Sequence, residues 1–204
     1  MTFQNLPTNF QSIENLMNSS TDALKQPFPT LWVMMMGMMI AIGPLAIDMN
    51  LPALPGMAKD FGVSVAEVSR SIPFYFTGLV IGQLIYGPLS DRIGRVKPMY
   101  IGMSIFVVAS IICSMTTHEM TLYISRIFQA LGACVTSVVP KAVIRDKLNP
   151  IQGAKAFSLM ILVMGIAPIL APSLGAAIFS IASWQALFWF LAAYGVLNLL
   201  LTHF

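Results

Sequence analysis

Charge is what this sequence has least of. Lysine, arginine, aspartate and glutamate make up 9% of its 204 residues, histidine occurs twice and cysteine twice, while 57% of residues are hydrophobic. So few polar side chains cannot cover a water-facing globule, which excludes a soluble domain. There is no glycine-rich Lys-Ser/Thr phosphate loop, no His/Glu metal spacing and no nucleophile elbow, so no enzyme, metal or cofactor is expected. His118 and His203 have no catalytic partner nearby in sequence. Cys113 and Cys134 fall in apolar runs without a Cys-x-x-Cys spacing, which excludes a disulfide framework and leaves them as packing residues. The net charge of +3 answers to topology and anionic lipid, with no sign of a nucleic-acid partner.

What the sequence has instead is long apolar runs. Lipid offers the backbone no hydrogen bonds, and strands of alternating polarity are absent, so an all-α membrane protein is predicted. Six spans are expected, at about 31–54, 71–91, 98–116, 120–141, 156–180 and 185–203, following a polar tail over residues 1–30. That tail lacks the pattern of a secretory signal peptide. With the tail inside, Lys25, Arg92, Arg95, Lys97, Lys141, Arg145, Lys147 and Lys155 lie on the inner side and Lys59 and Arg70 on the outer. This bias predicts cytoplasmic termini at both ends. The turns TTHE and ASWQ are short, whereas the stretch Pro55 to Arg70 reads as a longer outer loop. Spans three and six carry no charge and are expected at the periphery; spans one and four carry Asp48 and Arg126 and are expected to face an interior cavity. Two three-span units of opposite topology give the same count of spans.

The two intramembrane charges are the first candidates for a site. Asp48 lies among Pro44, Pro52 and Pro55, which interrupt the first helix. At about 1.5 Å per residue, Asp48 sits roughly 26 Å out from the inner face and Arg126 about 9 Å in from the outer, so the two share a depth. Each should have a partner, because a charge in hydrocarbon costs at least about 2.5 kcal/mol. Proton exchange and substrate contact at Asp48 compete with a structural ion pair as explanations. Gln129, Ala130 and Ala133 share the helical face of Arg126 and read as a lumen-lining stripe. Tyr75 is a further candidate, or an interfacial anchor. In span five, Gly165, Pro168, Pro172 and Gly175 suggest a bendable helix.

The inner loop GPLSDRIGRVKP resembles the loop signature of the major facilitator superfamily, G-x-L-x-D-R-x-G-R-[KR], at Gly87, Leu89, Asp91, Arg92, Gly94 and Arg95, with Lys97 displaced by one place. RIFQALGA is similar to the fourth-span motif of that family, departing at Ala130, and GIAPILAPSLGA to the fifth-span antiporter motif. DMNLPALPGMAKDFGVS, KAVIRD and SWQALFWFLA further resemble the bicyclomycin/chloramphenicol-resistance (Bcr/CflA) subfamily of drug:proton antiporters. The resemblance implies the N-terminal half of a major facilitator fold, built as two inverted three-helix repeats. It implies proton-driven, antibiotic-resistance type efflux of small molecules by alternating access in a bacterial-type inner membrane, with Asp48 and Arg126 in proton coupling and substrate binding. Family members have twelve spans, so the missing wall would come from a C-terminal half chain or a second copy of this chain; a truncated remnant or a non-transporting scaffold is the alternative. Asp91 is expected to bond backbone donors at a helix N-terminus or an arginine such as Arg145, and Gly87 and Gly94 to allow close packing and a tight turn.

Overall fold

The computed structural model describes residues 29–202, so the predicted tail lies outside the described residues apart from Pro29 and Thr30, as does His203. Among the described residues all regular structure is helical: α1 (Thr30–Ile40), α2 (Ile42–Asp48), a 3-10 turn (Leu51–Ala53), α3 (Leu54–Phe61), α4 (Val65–Ser69), α5 (Ser71–Ile93), α6 (Val96–Met115), α7 (Glu119–Lys147), α8 (Pro150–Ile181) and α9 (Gln185–Leu201). Five stretches are long and apolar enough to cross a membrane, namely Thr30–Phe61, Val65–Ile93, Val96–Met115, Glu119–Lys147 and Pro150–Ile181, and α9 is a shorter apolar helix of 17 residues.

The stretch from Pro55 to Arg70 is not an open loop. It folds as α3 and α4, hinged at Gly62 with φ 69°. The local signals are helical: a proline in the first turn of α3, and a Ser64 capping box in which Glu67 returns a bond to the Ser64 backbone. Their spacing is too short for the apolar periodicity that marks a span. Between the fourth and fifth spans α7 continues to Lys147 and α8 begins at Pro150, with the Asn149 side chain accepting from the Gln152 backbone N–H.

Packing centres on α7, which runs along both α5 and α6; α9 packs on α6, and α1 and α2 pack on α8. Exchanging the first three spans with the last three maps the α5–α7 contact onto the α8–α1/α2 contact, the pattern of two inverted three-helix repeats. Gly78 of α5 faces α7 so closely that a Cβ there would overlap the Ile127 carbonyl.

The assignment of spans three and six to the periphery needs correction within this chain. The most apolar window of α6 is 50% buried, against 22% for Val65–Ile93 and 17% for α8, so the second and fifth spans expose the most surface. Charge content does not rank burial here, because α6 and α9 bury Phe106, Phe188 and Leu191 in the shared core.

Candidate functional site

Proline has no N–H to donate, so Pro44 and Pro52 leave carbonyls of the first span without their usual helical partner. The helix is interrupted at Ala41 and again at Met49 and Asn50. At the second interruption the Ala46 carbonyl accepts from the Asn50 side-chain amide at 2.9 Å and from Arg126 Nη1 at 2.8 Å. Arg126 Nη1 also donates to Gln129 Oε1 at 2.7 Å, and Gln129 Nε2 donates to Ser110 Oγ at 2.8 Å. Polar groups of three spans would otherwise be orphaned in lipid depth; here the first span, α6 and α7 satisfy one another.

This cluster is sealed. Arg126 is 1% exposed and Gln129, Ala130 and Tyr75 are 0% exposed, so Arg126, Gln129 and Ala130 do not line an open lumen in this chain, and of that stripe Ala133 alone borders the larger cavity beside Asp48. The helical period places those residues on one face, and α5 and α6 cover that face. Tyr75 is no interfacial anchor: the Arg126 guanidinium lies 4.5 Å from its ring centroid, and the buried Tyr75 hydroxyl has no hydrogen-bond partner. A gap of about 10 Å³ is bordered by Arg126, Asn50, Ser71 and Phe188, about the room of one water.

Asp48 stands apart from this network. It has no ion pair or hydrogen bond among the described residues, so the expected partner is absent and Asp48 and Arg126 are not a structural pair. Shared depth does not bring two helix faces together, and Arg126 instead turns to the Ala46 carbonyl. Half-buried Asp48 borders a cavity of about 450 Å³ with Phe76, Gln83, Thr136, Lys141 and Met164. Pro168 of α8 borders the same cavity, whereas Gly165 is exposed with open space beside it. Pro172 is half-buried, and at Gly175 α8 approaches the broken first span so closely that a Cβ would overlap the Met49 carbonyl. The α8 helix is continuous through both prolines.

At the end of the bundle where α5 turns into α6, Arg95 is the hub. Its Nη1 donates to Asp91 at 2.6 Å and to Ser90 Oγ at 2.8 Å, while its Nε and Nη2 grip one Asp146 oxygen at 3.0 and 2.9 Å. Asp91 therefore pairs with the arginine one turn along in its own loop, and Arg145 sits no nearer than 3.8 Å from Asp146. The chain reverses in only two residues between α5 and α6, at Gly94 with φ 85° and Arg95, and this short turn carries Arg95 back over Asp91. Partial burial works against the charged form of Arg95, but the bonds to Asp91 and Asp146 outweigh it and hold its pKa above the ordinary arginine value. Arg92 is exposed, and Gly87 has nothing within contact distance of a Cβ, so it packs closely against no described helix. Asp146 and Ser110 escaped the sequence reading. Their signals were present as an acidic residue at a basic helix end and a lone hydroxyl in a charge-free span.

A helical membrane bundle with a carboxylate bordering an intramembrane cavity and a charge clasp at one rim is the architecture of a polytopic transport protein. The sequence profile of the Major Facilitator Superfamily matches residues 29–204, and the chain belongs to that family of transporters. It is 38% identical over 169 residues to an uncharacterized MFS-type transporter, YdgK, of Bacillus subtilis, covering 82% of this chain and 42% of that protein. It is 36% identical over 167 residues to the multidrug resistance protein MdtL of Escherichia coli, again covering 42% of the relative. The chain thus spans less than half the length of these relatives. The crystal structure of the human organic anion transporter MFSD10 (TETRAN) superposes with a TM-score of 0.68 over 87% of this chain and 47% of that one, at 17% identity, which speaks for the fold alone.

Proposed function

We propose that this chain forms one half of a proton-coupled secondary transporter that exports small molecules by alternating access from the cytoplasm of a bacterial-type inner membrane, with both termini cytoplasmic. The observation that carries the reading is Asp48: an ion-pair-free carboxylate on a proline-broken helix, bordering an intramembrane cavity of about 450 Å³. A carboxylate at that depth is costly to keep charged and so is suited to exchange a proton for cargo. The relatedness to a multidrug resistance protein supports small-molecule efflux. The exposed apolar surface of α5 and α8, including Val80, Leu84, Ile169 and Leu174, supports a second wall supplied by a C-terminal half chain or a second copy. The test is efflux of a fluorescent dye from energised cells expressing the chain alone and with a C-terminal six-span half. Export should collapse with the proton gradient and with Asp48→Asn. No gradient-dependent export in either assembly, or export indifferent to Asp48→Asn, would overturn the reading in favour of a scaffold.

A further inference from the structure

The cavity beside Asp48 does not end at Asp48. Its borders on the first span run from Ile40 to Asp48 and on α7 from Ala133 to Lys141, positions eight apart in each case, or about 12 Å of helix. The two helices run in opposite directions, so Asp48 marks the outer end of the cavity and Lys141 its inner end. Gln83, Ser137 and Lys141 also border a second, polar groove of about 610 Å³ at the inner rim, so the two spaces join at Lys141.

Lys141 is exposed and has no carboxylate partner among the described residues. The two acids within reach of the rim are occupied elsewhere: Asp91 by Arg95, and Asp146 by Arg95 and, more distantly, Arg145. Of the polar neighbours, Gln83 borders both spaces with Lys141 and supplies no opposite charge. The Ser137 and Thr136 hydroxyls are both turned back onto carbonyls of their own helix, at Cys134 and Ala133. Between the two charges the walls are mostly apolar, with Ile40, Ile47, Phe76 and Met164, and Gln83 and Thr136 are the polar residues among them. A long cavity with an apolar middle, a carboxylate at one end and an uncompensated ammonium at the other discriminates by charge placement as well as by hydrophobicity.

We propose that Lys141 is a specificity-determining residue, and that the cargo of this cavity is an amphipathic small molecule bearing a carboxylate-type anionic group held by Lys141, its apolar body lying toward Asp48. The proposal rests on the transport reading for the word cargo, but its test is binding. The probes are 4-phenylbutanoate and its neutral amide, 4-phenylbutanamide, titrated onto the purified full chain in detergent micelles and read by saturation-transfer NMR. The carboxylate binds about tenfold more tightly than the amide, the scale of one charge-assisted hydrogen bond, and the preference shrinks as salt is raised. Lys141→Met and Lys141→Gln each remove the preference of carboxylate over amide, and Lys141→Arg keeps it. Equal binding of the two probes by the parent chain, or a preference that survives both neutral substitutions, overturns the proposal. A Lys141-dependent preference without gradient-driven export would leave the site standing and remove the transport reading; export without that preference would do the reverse.

Discussion

The Arg126 guanidinium donates to the Ala46 carbonyl oxygen at 2.8 Å across 80 positions of sequence. One bond thereby joins the break in the first span to the first third of the fourth. Breaking the first helix is tolerable in lipid because side chains take up the carbonyl, Asn50 from the same span and Arg126 from another helix.

Replacing Arg126 by methionine should therefore destabilise the bundle. Gln129 Oε1 loses its donor and the Ala46 carbonyl keeps only Asn50, at a cost of about 1–3 kcal/mol. Lysine retains the charge without the planar fork and should recover only part of the loss. Thermal melting in detergent of both variants checks this; a melting temperature unchanged in Arg126→Met would show that the network contributes nothing.

Tyr75 separates ring from hydroxyl. Its hydroxyl is buried without a partner, while its ring lies under Arg126. Tyr75→Phe should leave the melting temperature unchanged or raise it, since it removes only the unpaired group. Tyr75→Leu should lower stability by about 1 kcal/mol through the lost cation–π contact. The reverse ranking of the two variants would mean that the hydroxyl has a partner.

The two glycines of span five should behave oppositely. Gly175→Ala pushes a methyl group into the Met49 carbonyl and should cost about 1–3 kcal/mol as α8 is levered off the first span. Gly165→Ala meets open space in a helix and should gain up to about 1 kcal/mol. Melting of the two single variants decides it, and equal effects would exclude a specific close approach at Gly175.

At the inner rim, Asp91→Asn and Asp146→Asn should each change stability by less than about 1 kcal/mol, because the two carboxylates are 64% and 43% exposed. Their effects should be non-additive, as both act through Arg95. In the assembled transporter each should lower flux while surface expression stays at the parent level. Loss of insertion would instead make the clasp a topological signal. Gly94→Ala should lower both, since φ 85° with ψ 171° is a conformation that only glycine adopts readily.

Much of this was legible in the chain alone. Apolar run length predicted the spans, and the prolines around Asp48 marked the broken helix, because both are local properties of the backbone in lipid. The loop carrying Asp91 and Arg95 was visible as a charge cluster for the same reason. Periodicity also put Gln129 on the face of Arg126, and they bond at a spacing of three residues.

What a helical period cannot say is which neighbour a face meets. Asp48 and Arg126 share a depth, yet the rotation of each helix sends Arg126 to a carbonyl and leaves Asp48 to a cavity. Asp146 reaches Arg95 across 51 positions only because α7 runs six residues past the predicted end of its span. Composition alone determined that this protein lies in a membrane as helices, since burial of its backbone allows little else. Tertiary packing decided which of its few charges are spent on holding the helices together and which, as at Asp48 and Lys141, border a cavity without an ion-pair partner among the described residues, because pairing depends on the relative rotation of helices far apart in the chain.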